Sequence, residues 1–316
     1  MSPETCGEIY NVLKKHFTKV GITEIKKKKD LEILVQKNPD LVFSGIKYIG
    51  FTKDSLRRQS SDKTWLSEYL DSKNINYTGS TAKALRLEFN KVFAKQEMQK
   101  NGINTAPFFI AEPGQYKKSD ELPAPFPLFI KPIYEGNGKG IDQDSIVTNF
   151  DDFEKKVESI FKEFKSLSLV EKYLNGREFT VGILSSSSEE IIPMPVEIIV
   201  IANDFGNKIL SFKTKKEDRE LLISIKDKKE HKRISEFAKK AFIALGGRDY
   251  GRIDLRMDEH ENLYFLEANL APGLNPTKSY FIKTCKRNKQ MSYEEAILKI
   301  VKTGLIRSLA KSKTSS

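Results

Sequence analysis

The segment Gly251–Asn269, GRIDLRMDEHENLYFLEAN, leaves a chain little freedom in what it can fold into. Ile253, Leu255 and Met257 alternate with Arg252, Asp254 and Arg256, the period of two that marks a strand with one buried face. The polar cluster Asp258 to Asn262 reads as a loop, and Leu263 to Asn269 resumes as a second strand. An antiparallel hairpin follows. With a four-residue loop pairing Asp258 and Leu263, Asp254 falls opposite Glu267 and Arg252 opposite Asn269. Paired Cβ atoms in such a ladder lie roughly 4.5–5.5 Å apart. Two carboxylates in that relation repel unless something compensates. Either the flanking arginines neutralise a solvated face, or the two carboxylates and the amide oxygen hold a hard cation such as Mg²⁺. On the hairpin alone both readings stand.

The rest of the chain supplies a mixed α/β setting. Residues 4–17, 82–101, 151–165 and 229–245 carry helical periodicity, with Gly102 as a C-cap of the second. Short apolar runs at 40–46 and around Asn76–Ser80 alternate with the helical stretch Leu66–Ile75, which predicts an N-terminal parallel sheet. Proline density rises between 105 and 132 and marks a domain boundary nearby. Asn175-Gly176, within LSLVEKYLNGREFTVGIL, reads as the turn of a hairpin.

Composition narrows the function classes. At 316 residues the chain suits one large domain or two to three smaller ones. No apolar run approaches the ~20 residues of a membrane span, and the first residues lack a signal-peptide core. Cys6 and Cys285 do not make a disulfide framework, so a reducing cytoplasm is the expected setting. The net charge of +11 comes from scattered lysines. It favours an anionic small ligand over nucleic acid, for which no module motif is present.

Further motifs point to phosphate. FPLFIKPIYEGNGKGI is an apolar strand ending at Lys131, followed by a loop with Gly136, Gly138 and Gly140; glycine-freed amides and a lysine can cradle phosphate. The same Asn137-Gly138 is equally a hairpin turn. Glu171 and Glu178 flank the Asn175-Gly176 turn, and Lys91 stands early in a helix. Taken singly, each is an ordinary surface residue.

In combination and order these segments resemble the ATP-grasp superfamily, and more narrowly the D-alanine–D-alanine ligases and ligase-like relatives, over about residues 38–310. FNKVFAKQEMQKNGINTAPFF, PLFIKPIYEGNGKGID, LVEKYLNGREFTVGIL and RDYGRIDLRMDEHENLYFLEANLAPGLNPTKS carry the likeness. It implies three domains, 1–88, 89–180 and 181–316, with ATP held between two α+β subdomains. Lys91 and Lys131 match lysines that contact phosphates; Glu171, Lys172, Tyr173 and Leu174 match the adenine hinge; Glu178 matches the acid on the ribose hydroxyls. Asp254, Glu267 and Asn269 match the ligands of Mg²⁺ (or Mn²⁺), and Arg252 the arginine beside the reacting acyl phosphate. Gly136, Asn137 and Gly138 stand where the family has a Gly-Ser-Ser loop. Ser279 resembles the serine that holds the acceptor carboxylate, one residue later than usual. Lys215 lies in the mobile-loop segment, without the accompanying tyrosine. The implied reaction activates a carboxylate with ATP and joins it to an amine of a second small amino-acid-like substrate, in a homodimer. The expected first strand and its glycine loop, and a His-Gly segment, are missing, which motivates the alternative of a catalytically reduced nucleotide-binding relative.

Overall fold

The computed structural model describes residues 1–51, 62–136, 138–185, 190–200 and 220–314, with side chains as far as Arg307. Two antiparallel sheets dominate. The first has four strands, β3 (Phe108–Ala111), β4 (Leu128–Pro132), β5 (Ile146–Val147) and β6 (Ser168–Lys172), in the order β3-β6-β4-β5. The helix Phe150–Phe164 lies on it because Phe153, Val157 and Ile160 recur at helical spacing and pack on Leu128, Ile130 and Val170. Asn149 caps its start by accepting from Asp152 N at 2.9 Å.

The second sheet has five strands, β7 (Glu178–Ser185), β8 (Ile191–Val200), β9 (Glu220–Ser224), β10 (Tyr250–Met257) and β11 (Leu263–Asn269), in the order β11-β10-β7-β8-β9. Alternate residues separate its faces. Phe179, Val181, Ile253 and Leu255 pack with Ile234, Ala238 and Phe242 of the helix Lys228–Ala244. Leu184, Met194 and Tyr250 pack with Phe281 and Ile282 of the helix Tyr280–Lys289. Full burial of one such side chain contributes about 1.5–3 kcal/mol, so this doubly covered sheet forms a stiff platform for β10 and β11.

The N-terminal part departs from the expected parallel sheet. Among the described residues its two-stranded sheet, β1 (Tyr48–Ile49) with β2 (Thr64–Trp65), is antiparallel. Parallel pairing there is confined, among the described residues, to a bridge from Val42 to Tyr77. Ser44 interrupts the run by taking its amide to Thr78 Oγ1 at 3.0 Å.

Two further expectations are corrected. The helix expected over 82–101 is two helices, Ala82–Phe89 and Lys91–Lys100. Asn90 breaks it: its side-chain oxygen accepts from Val92 N at 2.9 Å and Phe93 N at 3.3 Å, competing with the helical ladder. The hairpin expected at Asn175-Gly176 is instead a crossover, since β6 belongs to the four-stranded sheet and β7 to the five-stranded one. Gly176 donates to Met257 O at 3.0 Å, and a Cβ there would meet the Met257 and Asp258 carbonyls at 2.6 Å. Close approach to a neighbouring hairpin, rather than a turn, demands that glycine. β7 begins at Glu178 and lies wholly in the five-stranded sheet.

The β10–β11 register joins Asp254 to Glu267 and Arg252 to Asn269, as the alternation predicts. Nearer the loop the pairing shifts by one, with Leu255 opposite Phe265 and Met257 opposite Leu263, so Leu266 is the extra residue of a β-bulge. No described helix is long and apolar enough to cross a membrane.

Candidate active site

A cleft takes its walls from both sheets. β4 contributes Phe129 and Lys131, β6 Glu171 and Lys172, and the crossover Tyr173 and Leu174. From the other sheet come Glu178 of β7, Asp254 and Arg256 of β10, and Leu266 and Glu267 of β11. Phe265 N donates to Asn104 O at 2.8 Å, tying β11 to the segment that leads into β3.

The acid pair is compensated on the face of the sheet itself. Asp254 is buried and accepts from Thr180 Oγ1 at 2.7 Å, from Arg252 Nε at 2.9 Å and from Arg252 Nη2 at 2.8 Å. Burial alone would lower the pKa of Arg252; the carboxylates of Asp254 and Glu267 outweigh it and hold the group above its ordinary value. Arg252 is therefore a fixed cation beside the carboxylates. Its guanidinium lies 5.6 Å from the ring of Tyr280, whose hydroxyl donates to Glu220 Oε1 at 2.6 Å. Burial and then Glu220 push the Tyr280 pKa up, so the phenol stays neutral. Asn269 Oδ1 accepts from Ala271 N at 3.3 Å as the chain leaves β11.

Opposite stands a buried ionic triad. Lys131 Nζ lies 2.5 Å from Glu171 Oε2, and Lys95 Nζ contacts Glu171 Oε1. Burial would raise the Glu171 pKa, but the two lysines hold it below the ordinary carboxylate value. Lys95 is fully buried, with its ammonium 2.6 Å from Thr105 Oγ1; burial lowers its pKa despite Glu171. Lys95, Thr180, Arg256 and Tyr280 are among the site-associated residues that sequence reasoning missed. Lys95 shares a buried helix face with Lys91 and Met98, but a lysine at that spacing reads in the sequence as solvated.

The other expected residues are placed unevenly. Lys131, Gly138, Glu171, Lys172, Tyr173, Leu174, Glu178, Asp254 and Glu267 line the cleft, while Arg252 and Asn269 adjoin it through the β10–β11 ladder. Lys91 is off the walls: its ammonium donates to the carbonyl of Glu135, at the head of the glycine loop. Gly136 is likewise not a lining residue. The Ser279 hydroxyl donates to Gly273 O and accepts from Ile282 N at 3.3 Å, capping the helix Tyr280–Lys289. Asn137 and Lys215 lie outside the described residues.

The donor set fits a hard divalent cation. Asp254 and Glu267 are cross-strand neighbours and Asn269 follows two residues on, all oxygen donors with a cationic counterweight at Arg252. Among the described residues there is no cluster of three or more His, Cys, Asp or Glu, so the amide would complete the set.

The chain resembles proteins already known. The family model described as the D-ala D-ala ligase C-terminus matches residues 98–302. The D-alanine–D-alanine ligase of Hydrogenovibrio crunogenus is 28% identical over 233 residues, covering 73% of this chain and 70% of that protein. That of Trichlorobacter lovleyi is 27% identical over 234 residues, with 73% and 70% covered. Among solved structures, the Bacillus anthracis D-alanine–D-alanine ligase complexed with ATP superposes with a TM-score of 0.70 at 22% identity, covering 100% of this chain and 97% of that one. The VanG D-Ala:D-Ser ligase of Enterococcus faecalis gives a TM-score of 0.64 at 20% identity, covering 84% and 73%. The structural likeness gives the ATP-grasp fold, and the family model spans well over half of the sequence: the chain belongs to the D-alanine–D-alanine ligase family.

Proposed function

We propose that the cleft binds ATP with magnesium and that the enzyme joins the carboxyl group of one small amino-acid-like substrate to the amine of another. One observation carries this reading. A lysine ammonium, a hinge segment, a wall carboxylate and an arginine-balanced acid pair converge on one cleft from two sheets. Relatives named D-alanine–D-alanine ligase support the class of reaction.

In this reading Lys131 offsets charge on the phosphate oxygens and Glu171 holds it in place. Tyr173 and Leu174 line the base end, and Glu178 takes the ribose hydroxyls. Asp254, Glu267 and Asn269 would hold magnesium, which supplies charge neutralisation at the transferring phosphoryl group. Arg252 stabilises the oxyanion that forms when the amine attacks the activated acyl carbon. Lys91 acts on the phosphates indirectly, by fixing the glycine loop through Glu135. The N-terminal part, the four-stranded part and the five-stranded part are proposed as three domains.

The test is a screen of the protein with ATP, magnesium and pools of D- and L-amino acids, read by phosphate release and product mass. Release of ADP and phosphate with a condensed product is expected, and Glu267→Gln should abolish it. A protein that binds ATP yet releases no phosphate with any pool would instead be a nucleotide-binding relative without ligase activity.

A further inference from the structure

Arg256 lines the cleft, yet neither the metal set nor the phosphate set uses it. It stands on β10 two residues beyond Asp254 and reaches across to the crossover. Nη1 lies 3.3 Å from Glu178 Oε2, Nη2 donates to the Tyr173 hydroxyl at 3.4 Å, and Nε donates to Gly176 O at 3.3 Å. The guanidinium carbon sits 5.3 Å from the centre of the Tyr173 ring. Arg256 and Glu178 have side chains only 13% exposed, so the pair is largely shielded from water. Backbone contacts brace the same place: Gly176 N donates to Met257 O, and Met257 N to Arg177 O at 2.9 Å. One planar, always charged side chain thus fixes a carboxylate, a ring and a backbone carbonyl of the segment that joins the two sheets.

A carboxylate held at Oε2 in this way is restrained in its orientation and keeps acceptor capacity on both oxygens. Its natural complement is a pair of neighbouring hydroxyls, each donating to the anion. A carboxylate free to swing would instead turn to water and reward one hydroxyl nearly as well as two. We infer that Arg256 is a specificity-determining positioning residue: by locking Glu178 against the cleft wall, it makes the nucleotide site demand a ribose with both hydroxyls and reject 2′-deoxynucleotides. The inference rests on the nucleotide reading of the cleft given above and concerns a residue that reading leaves without a role.

The experiment measures binding of ATP and 2′-deoxy-ATP, each with magnesium, to the full chain and to Glu178→Gln, Arg256→Met, Arg256→Lys and the Glu178→Gln/Arg256→Met double variant. Loss of a hydrogen bond to a charged group predicts about a tenfold or greater preference for ATP in the unaltered protein. Glu178→Gln and Arg256→Met should each bring that preference close to one, and the double variant should add nothing further. Arg256→Lys, which keeps the charge but not the fork, should give an intermediate preference and guards against a folding defect in the methionine variant. A purely structural role would weaken both nucleotides equally. Retention of the tenfold preference in Arg256→Met and Arg256→Lys, with its loss in Glu178→Gln, would overturn the inference and leave the nucleotide reading intact. An unaltered protein that binds both nucleotides equally would overturn the inference and the ribose role of Glu178. Failure to bind either nucleotide would overturn the reading of the cleft itself.

Discussion

Thr180→Val tests whether the acid pair is held by the strand behind it. Thr180 is fully buried in β7, opposite Asp254, and donates to Asp254 Oδ1 at 2.7 Å. Valine keeps the volume and removes the donor, so no cavity contributes. A hydrogen bond to a charged acceptor contributes about 1.5–3 kcal/mol. Two arginine donors to Asp254 remain, at 2.9 and 2.8 Å, so the loss should sit in the lower part of that range, about 2 kcal/mol. A methyl group also cannot approach a carboxylate oxygen as closely as a hydroxyl does, so Asp254 must shift toward Arg252. Urea unfolding should show a lower midpoint with an unchanged slope, and magnesium titration at saturating ATP should show a higher midpoint. Thr180→Ser, which restores the hydroxyl, should recover most of both. If Thr180→Val lies within about 0.5 kcal/mol of the parent and the magnesium midpoint does not move, the argument that β7 positions Asp254 is refuted.

Two further outcomes follow from geometry away from the cleft. Asp258 closes the β10–β11 loop by accepting from Asn262, Tyr264 and the His260 amide; burial alone would raise its pKa, but these bonds bring it down to about 2 from an ordinary 3.8. A depressed carboxylate stabilises the fold above its unfolded pKa and ceases to do so as pH falls through the folded one. The gap in urea midpoint between the parent and Asp258→Asn should therefore be full above about pH 4 and close toward about pH 2; a gap independent of pH would be wrong for this mechanism. Gly182→Ala should destabilise by about 1–3 kcal/mol, because a Cβ there would overlap Thr284 Oγ1 on the helix packed behind β7. Adding Thr284→Ala should restore part of the loss in thermal or urea unfolding, since the clash partner is then gone, whereas simple additivity would count against it.

How far the sequence reveals this molecule depends on the range of the forces involved. Leu263 pairs with Met257 rather than with the expected Asp258, and Asp254 faces Glu267 because the bulge offsets that difference; the hairpin itself was legible, since side-chain direction alternates along a strand. The bulge at Leu266 was not, because an inserted leucine in an apolar strand leaves no mark in composition. Asn175-Gly176 carries a local turn signal, but its glycine answers to Met257 and Asp258, residues some eighty positions away. Asn90 was a missed stop because a capping side chain and a mid-helix side chain look alike until the chain is seen to turn. Lys95 reads as solvated like most helical lysines; burial becomes apparent only when Glu171, from strand β6, arrives beside it. Long-range electrostatic pairing therefore eluded the pattern, while short-range periodicity did not.

The bulge has a consequence for the chemistry of the wall. Within an unbroken strand the neighbours of a carboxylate point to the opposite face, so adjacent residues share a cavity mainly where a strand ends, as Glu171 and Lys172 do at the end of β6. Leu266 and Glu267 share it from within β11. A molecule with a flat, weakly polar ring at one end and a charged chain at the other could thus meet both kinds of surface within two successive residues of a single strand. Deleting Leu266 would preserve the facing acids, since Glu267 would then fall opposite Asp254 in the straightened ladder. What would be lost is the greasy half of an amphiphilic surface, which the irregularity in β11 makes available.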